Sequence, residues 1–307
     1  MKVSVIATVL NEAGPIQPFL VSLLNQTRKP DEIVIVDGGS TDGTVEQVRT
    51  FQLTHPFVKL LVEDNCNVAR GRNIAITHAA YDYLAITDAG CRVDEHWLAE
   101  LMKPFEESSD VDVVGGKTEM DPRTPFERWV GYLNMPFEKL DLQSYLPTAR
   151  SLALRKRCWE AVGGFPEELT MWAEDAVFML RLKANNIHLV ITPSAVVYWR
   201  PRRNLKEFCQ QYFEYGIGDG EAAIHTTLFL KRFGLFLSTF LLVAGWWINI
   251  VLPLISAVYL FVAFLRLMPP LKTTSLSWWK LIPLFVLTLV KESSQLFGYC
   301  VGRMRRR

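Results

Sequence analysis

The front of the chain alternates two patterns. Short β-branched and aliphatic runs are followed by segments whose apolar residues recur at helical spacing. "VSVIATVL" (3–10) and "EIVIVDGG" (32–39) are runs of the first kind, ended by polar residues or glycine, and they predict strands. Between them, Phe19, Leu20, Leu23 and Leu24 fall on one helical face. Strand, helix and strand at this spacing make a βαβ unit, which predicts a parallel sheet. The alternation continues with a helix in "TVEQVRTFQ", a strand in "VKLLVE" (58–63), a helix in "VARGRNIAITHA" and a strand in "YLAITDAG". Sheets of this kind bind ligands beyond the carboxyl ends of their strands, and Asn11, Asp37 and Asp88 all stand at such ends.

The pattern changes towards the end of the chain. From Gly234 to Leu265 there is no charged residue, and the run is well beyond the roughly 18 apolar residues that suggest a spanning helix. It predicts either one tilted helix kinked near Pro253 or a tight pair of short helices. A second apolar stretch, "LIPLFVLTLV" (281–290), precedes "KESSQ" and "LFGYCVG", and the chain finishes on "GRMRRR". Arginines beside a span favour the cytoplasmic face. The expectation is therefore a soluble front domain over residues 1–225 and a membrane-associated segment over 226–307 with about two transmembrane helices. This implies a multi-pass protein of the cell's inner (cytoplasmic) membrane, with the front domain in the cytoplasm. Just ahead of the apolar run, Leu205, Phe208, Cys209, Tyr212 and Phe213 share a helical face, with Arg202, Arg203 and Lys206 alongside. Such a helix is expected at a membrane interface.

Composition narrows the function. The net charge of +1 over 307 residues gives no electrostatic footprint for a nucleic-acid partner. Five scattered cysteines without a CxxC pair fit a reducing compartment and argue against a disulfide frame or a zinc site. "VDGGSTDGT" (36–44) puts Asp37 before glycines and Thr44 before a helix, a turn that lets backbone and carboxylate approach a ligand closely. It is not the dinucleotide fingerprint GxGxxG.

"SVIATVLNEAG", "IVIVDGGSTDGT", "NVARGRNIAI" and "YLAITDAG" follow in this order, and "ARSLALRKRCWEAVGGFPEELTMWAEDAVFMLRL" comes later. Over residues 3 to about 220 this ordered set resembles family 2 glycosyltransferases, inverting enzymes that use nucleotide-sugar donors. The resemblance implies an α/β chain with the GT-A fold, Rossmann-like with a mostly parallel sheet flanked by helices, here followed by the C-terminal transmembrane helices. It also implies site roles. Thr8, Val9, Asn11 and Glu12 would line the nucleoside pocket, and Asp37 would contact the base, commonly uracil. Arg72 would face the nucleotide or diphosphate. Asp88 would be the first residue of the Asp-x-Asp motif that binds Mg²⁺ or Mn²⁺, although Gly90 stands where that motif has its second acid. Asp175, beside Glu174, would be the base that takes the acceptor proton. Trp199 and Arg200 would frame the acceptor or the diphosphate. Asp94 is expected only to cap the helix of "EHWLAEL". "QQYFEYG" lacks the Arg-Trp of the processive members' motif.

The expected partners are a nucleotide-sugar donor, UDP-linked in keeping with the uracil that the resemblance implies, a lipid-linked or glycan acceptor, and the membrane. Two rivals compete with this reading. One is a non-catalytic membrane-anchored scaffold that keeps the nucleotide fold, which Gly90 favours and the Glu174–Asp175 pair opposes. The other is a nucleotidyltransferase acting on a sugar phosphate, which "NEAGPIQPF" opposes by lacking any lysine or arginine.

Overall fold

The computed structural model of the 307-residue chain describes residues 1–133, 145–170, 172–234 and 281–306. Its contacts form two compact units. The first comprises Met1–Asp121, Leu140–Thr170 and Glu174–Arg200; the second comprises Pro122–Lys139, Met171–Ala173 and Pro201–Arg307.

The first unit is built on a mixed sheet. Its strands are β1 (Val3–Val9), β2 (Glu32–Asp37), β3 (Val58–Val62), β4 (Tyr83–Asp88), β5 (Cys91–Val93), β6 (Val113–Met120), β7 (Leu152–Arg155) and β8 (Leu189–Trp199), in the order β3-β2-β1-β4-β7-β6-β8-β5. Strands β1 to β4 pair in parallel, as the βαβ pattern predicts, whereas β7 runs antiparallel to both β4 and β6.

Side-chain alternation explains why the sheet is covered on both faces. Val3, Val5, Ala7 and Val9 of β1, with Ile33 and Ile35 of β2, point into one core. Ile6, Val34 and Val36 point into the other. The first core is closed by α1 (Ile16–Leu24), α2 (Thr44–Thr54) and α4 (Trp97–Glu107); the second by α3 (Val68–His78), α6 (Lys156–Ala161) and α7 (Glu174–Ala184). On α1, Ile16, Phe19, Leu20 and Leu23 are buried, the i, i+3, i+4, i+7 stripe of a core-facing helix. Burying one such side chain stabilises the fold by about 1.5–3 kcal/mol. Asp94 does not cap α4: its carboxylate accepts the His96 N–H in the preceding turn, and the helix begins at Trp97.

The second unit contains α5 (Pro125–Tyr132), α8 (Leu205–Ala222) and α9 (Leu281–Arg305). Thr124 and Glu127 close α5 with a reciprocal capping box, and Asn204 caps α8 through the Glu207 N–H. Helices α8 and α9 approach at backbone distance. A Cβ at Gly216 would run into the Gln295 carbonyl, one at Gly298 into the Phe213 carbonyl, and one at Gly302 into the Ile217 carbonyl. A Cβ at Gly220 would likewise meet the Tyr299 carbonyl, and the four-residue spacing of Gly216 and Gly220 on α8 and of Gly298 and Gly302 on α9 brings the glycines onto facing ridges. Phe208 and Tyr212 of α8 pack with Leu284 and Leu287 of α9 and with Val130 and Leu133 at the end of α5.

Among the described residues no helix is long and apolar enough to cross a membrane. This corrects the expectation of C-terminal transmembrane helices and, with it, that of a multi-pass inner-membrane protein with a cytoplasmic catalytic domain. The run 281–290 does not stop at "KESSQ". It continues unbroken through Lys291 and Glu292 as a 25-residue helix, and Leu284, Leu287 and Tyr299 are buried against protein. Glu292 pairs with Arg232 at 2.6 Å. Of the face Leu205, Phe208, Cys209, Tyr212 and Phe213, expected at a membrane interface, Phe208 and Tyr212 pack against α9 and α5, whereas Leu205 is exposed. The longer apolar run falls almost wholly within residues 235–280, outside the described residues.

Candidate functional site

Register places the strand-end residues side by side. Thr8 of β1 is level with Asp88 of β4, and Val9 is level with Asp37 of β2. The loops beyond β1 and β2 are latched to each other. Asn11 N–H donates to Ser40 Oγ at 2.8 Å, Asn11 Oδ1 accepts from Thr41 N–H at 2.9 Å, and Glu12 N–H donates to Thr44 Oγ1 at 2.9 Å. Asn11 takes the left-handed conformation at φ 54°, which asparagine tolerates better than most residues. Asp37 is fully buried. Its Oδ1 accepts from Gly39 and Ser40 N–H groups at 2.9 and 2.7 Å, while Oδ2 has no partner among the described residues. An orphaned buried carboxylate oxygen costs about 1–3 kcal/mol or more, and a ligand N–H would satisfy it.

Helix α3 brings Arg72 into the same end of the sheet. It can do so because Gly71 has no Cβ; one there would sit 2.9 Å from Thr8 Cγ2. The buried Arg72 guanidinium donates from Nη1 to Glu174 Oε1 at 2.6 Å and from Nη2 to Asp88 Oδ1 at 2.8 Å. It also lies 5.4 Å from the Phe165 ring, which stacks on Phe178. Burial opposes the charge on Arg72, but Asp88, Glu174 and Asp175 more than offset it, so its pKa is raised. Burial pushes the Glu174 carboxyl above its ordinary value, against the pull of Arg72. Three residues expected in the site, far apart in sequence, thus meet at one guanidinium.

Of the acidic pair opening α7, Glu174 is buried and Asp175 is half-buried. One Asp175 oxygen accepts the Ala176 N–H at 2.8 Å. Immediately before the pair, Ala173 is held at φ 98°, a backbone conformation costly for any residue with a Cβ and found mainly at functional sites.

Arg150 escaped the reading of the sequence. Its guanidinium lies over the Trp199 ring at 4.7 Å, and its Nε is 3.7 Å from Asp88 Oδ2. No local pattern marks it, because its place depends on β8 delivering Trp199 beside it. Burial pushes the Tyr145 phenol up; Arg150 opposes and Asp175 adds to this, so those three groups share one electrostatic neighbourhood. Burial, reinforced by the Asp88 charge, pushes the Cys91 thiol up to about 12, leaving it protonated and unreactive. Arg200 is half-buried, one residue past the end of β8.

Among the described residues no group of three or more His, Cys, Asp or Glu side chains could hold a metal ion. Asp88 offers one partly exposed carboxylate, and Gly90 offers none. Magnesium or manganese bound with a diphosphate needs only one or two protein carboxylates, because phosphate oxygens and water complete the shell. The donor set therefore fits a cation that arrives with a diphosphate and does not fit a centre held by protein alone.

The family profile for "Glycosyl transferase family 2" matches residues 4–153, and that for "Glycosyl transferase family group 2" matches residues 83–291. The glycosyltransferase AglE of Haloferax volcanii is 28% identical over 244 residues, covering 75% of this chain and 77% of that protein. The uncharacterized glycosyltransferase YibD of Escherichia coli K12 is 30% identical over 163 residues, covering 52% of this chain and 46% of that protein. Among solved structures, the mannosyltransferase PcManGT from Pyrobaculum calidifontis, in complex with GDP-Man and Mn²⁺, aligns at a TM-score of 0.63 and 21% identity, over 95% of this chain and 87% of that chain. TarS 1-349 of S. aureus in complex with UDP aligns at 0.52 and 22% identity, over 71% and 65%. At these identities the structures attest the fold, a GT-A-like α/β arrangement around a mixed sheet.

Proposed function

The chain belongs to glycosyl transferase family 2, and from that premise we propose that it transfers a sugar from a nucleoside-diphosphate-sugar donor to an acceptor hydroxyl with inversion. The observation that carries this reading is the Arg72 bridge. It holds Asp88, at the donor side of the sheet, to Glu174, whose neighbour Asp175 is free to serve as base. The bridge would steady a scaffold too; what a scaffold has no use for is the Asp175 carboxylate placed beside it.

In the proposed reaction the donor base docks at the ends of β1 and β2, and the unpartnered Asp37 Oδ2 accepts a ring N–H flanked by a carbonyl. Uracil, the base expected from the sequence, carries such a group, and so does guanine. Thr8, Val9, Asn11 and Glu12 line the nucleoside side. Asp175 takes the proton of the acceptor hydroxyl as its oxygen attacks the anomeric carbon from the face opposite the diphosphate. Inversion needs only this one base. Negative charge develops on the departing diphosphate, and Arg150, braced on Trp199, is the cation best placed to meet it. When bound, a divalent cation would supply further stabilisation of that charge, with Asp88 among its ligands. Arg200 extends the same rim.

A glycan hydroxyl is the proposed acceptor. The expectation of a lipid-linked acceptor rests on the membrane anchor, which the described residues do not support. The test is donor hydrolysis and transfer by the purified chain against a panel of UDP- and GDP-sugars, with Asp175→Asn alongside. Turnover that disappears in the variant while nucleotide binding persists is the expected result. Binding without turnover for every donor and acceptor would favour the scaffold.

A further inference from the structure

We propose that Glu12 supplies the second acid that position 90 lacks, so that Asp88 and Glu12 together hold a divalent cation against the donor diphosphate. The proposal deepens the glycosyltransferase reading and rests on it.

The topology makes the exchange possible. Strands β1 and β4 are parallel neighbours, with Thr8 level with Asp88. The chain therefore leaves both strands at the same edge. Glu12 lies four residues beyond Thr8, and Gly90 lies two beyond Asp88. A Cβ added at Gly90 would meet Glu12 Oε1 at 3.4 Å and Glu12 Cδ at 4.0 Å. The space that an aspartate at 90 would enter is thus bordered by a carboxylate reaching in from the neighbouring strand's loop.

The Glu12 backbone is fixed for this purpose. Its own N–H is tied to Thr44 Oγ1, and the flanking Asn11 and Ala13 N–H groups are tied to Ser40 Oγ and Asp42 Oδ2. Asp88 keeps capacity for a cation. A carboxylate has about four lone-pair sites, and among the described residues Arg72 at 2.8 Å and Arg150 at 3.7 Å are the cations against it. Two carboxylates plus phosphate oxygens and water are the donor set magnesium takes at nucleotide sites.

The experiment is Mn²⁺ binding to the purified full chain, read by electron paramagnetic resonance of free Mn²⁺, with UDP and separately with GDP present. Nucleotide binding without metal is measured in parallel by calorimetry. The expected result is Mn²⁺ bound only with nucleotide, about tenfold or more weaker in Glu12→Gln. The double variant Glu12→Gln/Gly90→Asp should recover it, because the carboxylate returns from the family's usual position. Circular dichroism checks that each variant folds. If Glu12→Gln fails to fold, Glu12→Asp serves, with its shortened carboxylate weakening Mn²⁺ uptake by more than any change in metal-free nucleotide binding. Unaltered Mn²⁺ affinity in the folded Glu12 variants overturns the proposal. So does tight nucleotide binding with no Mn²⁺ uptake, which leaves the glycosyltransferase reading intact and hands the diphosphate to Arg150. Failure of both nucleotides to bind overturns that reading as well.

Discussion

Arg72 Nη1 donates to Glu174 Oε1 at 2.6 Å across 102 residues of sequence, and both side chains are buried. The contact ties the opening of α7 to α3. Removing one partner of a buried pair leaves an uncompensated charge, which costs about 3–5 kcal/mol. Arg72→Met should therefore lower the urea midpoint sharply, and Arg72→Met/Glu174→Gln should lower it less than the two single changes combined. Strict additivity in this cycle would mean that the pair is not coupled.

Asp175→Asn removes the proposed base and keeps the shape. It should lower kcat by about 10²–10⁴-fold and leave the thermal midpoint and nucleotide affinity near wild type. Glu174→Gln, by contrast, should cost stability first. Equal loss of activity without loss of stability in Glu174→Gln would reverse the two roles.

Asp37→Asn retains a turn acceptor at Oδ1 but replaces the orphan oxygen with a donor. A base N–H would then meet an N–H, and nucleotide affinity should fall by about 1–3 kcal/mol. Titration calorimetry with UDP and GDP reads this directly. Unchanged affinity for both would remove Asp37 from the base pocket.

Glu32 gives a pH dependence remote from the site. Burial raises its pKa, but hydrogen bonds from Lys59, Ser4 and Ala80 outweigh that and lower it below the ordinary 4.5. A depressed carboxyl contributes stability above its unfolded value and loses it as pH falls through the folded value. The wild-type urea midpoint should fall as pH drops below about 4.5, and that of Glu32→Gln should fall less over the same window. Parallel profiles would show that Glu32 does not set the acid limb.

Gly216→Val should push α8 off α9, because the new side chain meets the Gln295 carbonyl and the Tyr299 backbone nitrogen. Overpacking of this kind costs about 1–3 kcal/mol, occasionally more. Gly234→Ala, where a Cβ meets nothing within 4 Å, is the matched control and should change the thermal midpoint little.

Much of the first unit was legible in the sequence because its information is local. β-branched runs ending in Asp37 and Asp88 identify strands and their carboxyl ends, and Phe19, Leu20 and Leu23 identify the face of α1. The antiparallel β7 was not legible, since nothing local in "LALR" states which neighbours it joins. The Arg72 bridge was equally hidden: position on α3 says that a guanidinium is near the strand ends, but not that Glu174 will claim it. Nor could Gly90 alone reveal which carboxylate borders it. The C-terminal reading failed for a different reason. Hydropathy counts apolar residues, and "LIPLFVLTLV" scores alike whether those residues meet lipid or, as Leu284 and Leu287 do, meet Phe208 and Tyr212.

The glycine contacts between α8 and α9 bear on how the second unit opens. Where backbone packs on backbone, neither helix can separate without baring main chain that its partner covers. Amide hydrogens around Gly216 and Gly220 should therefore exchange with solvent deuterium at the same free energy as those around Gly298 and Gly302, although about eighty residues separate them. The two helices would then register as one cooperative opening event.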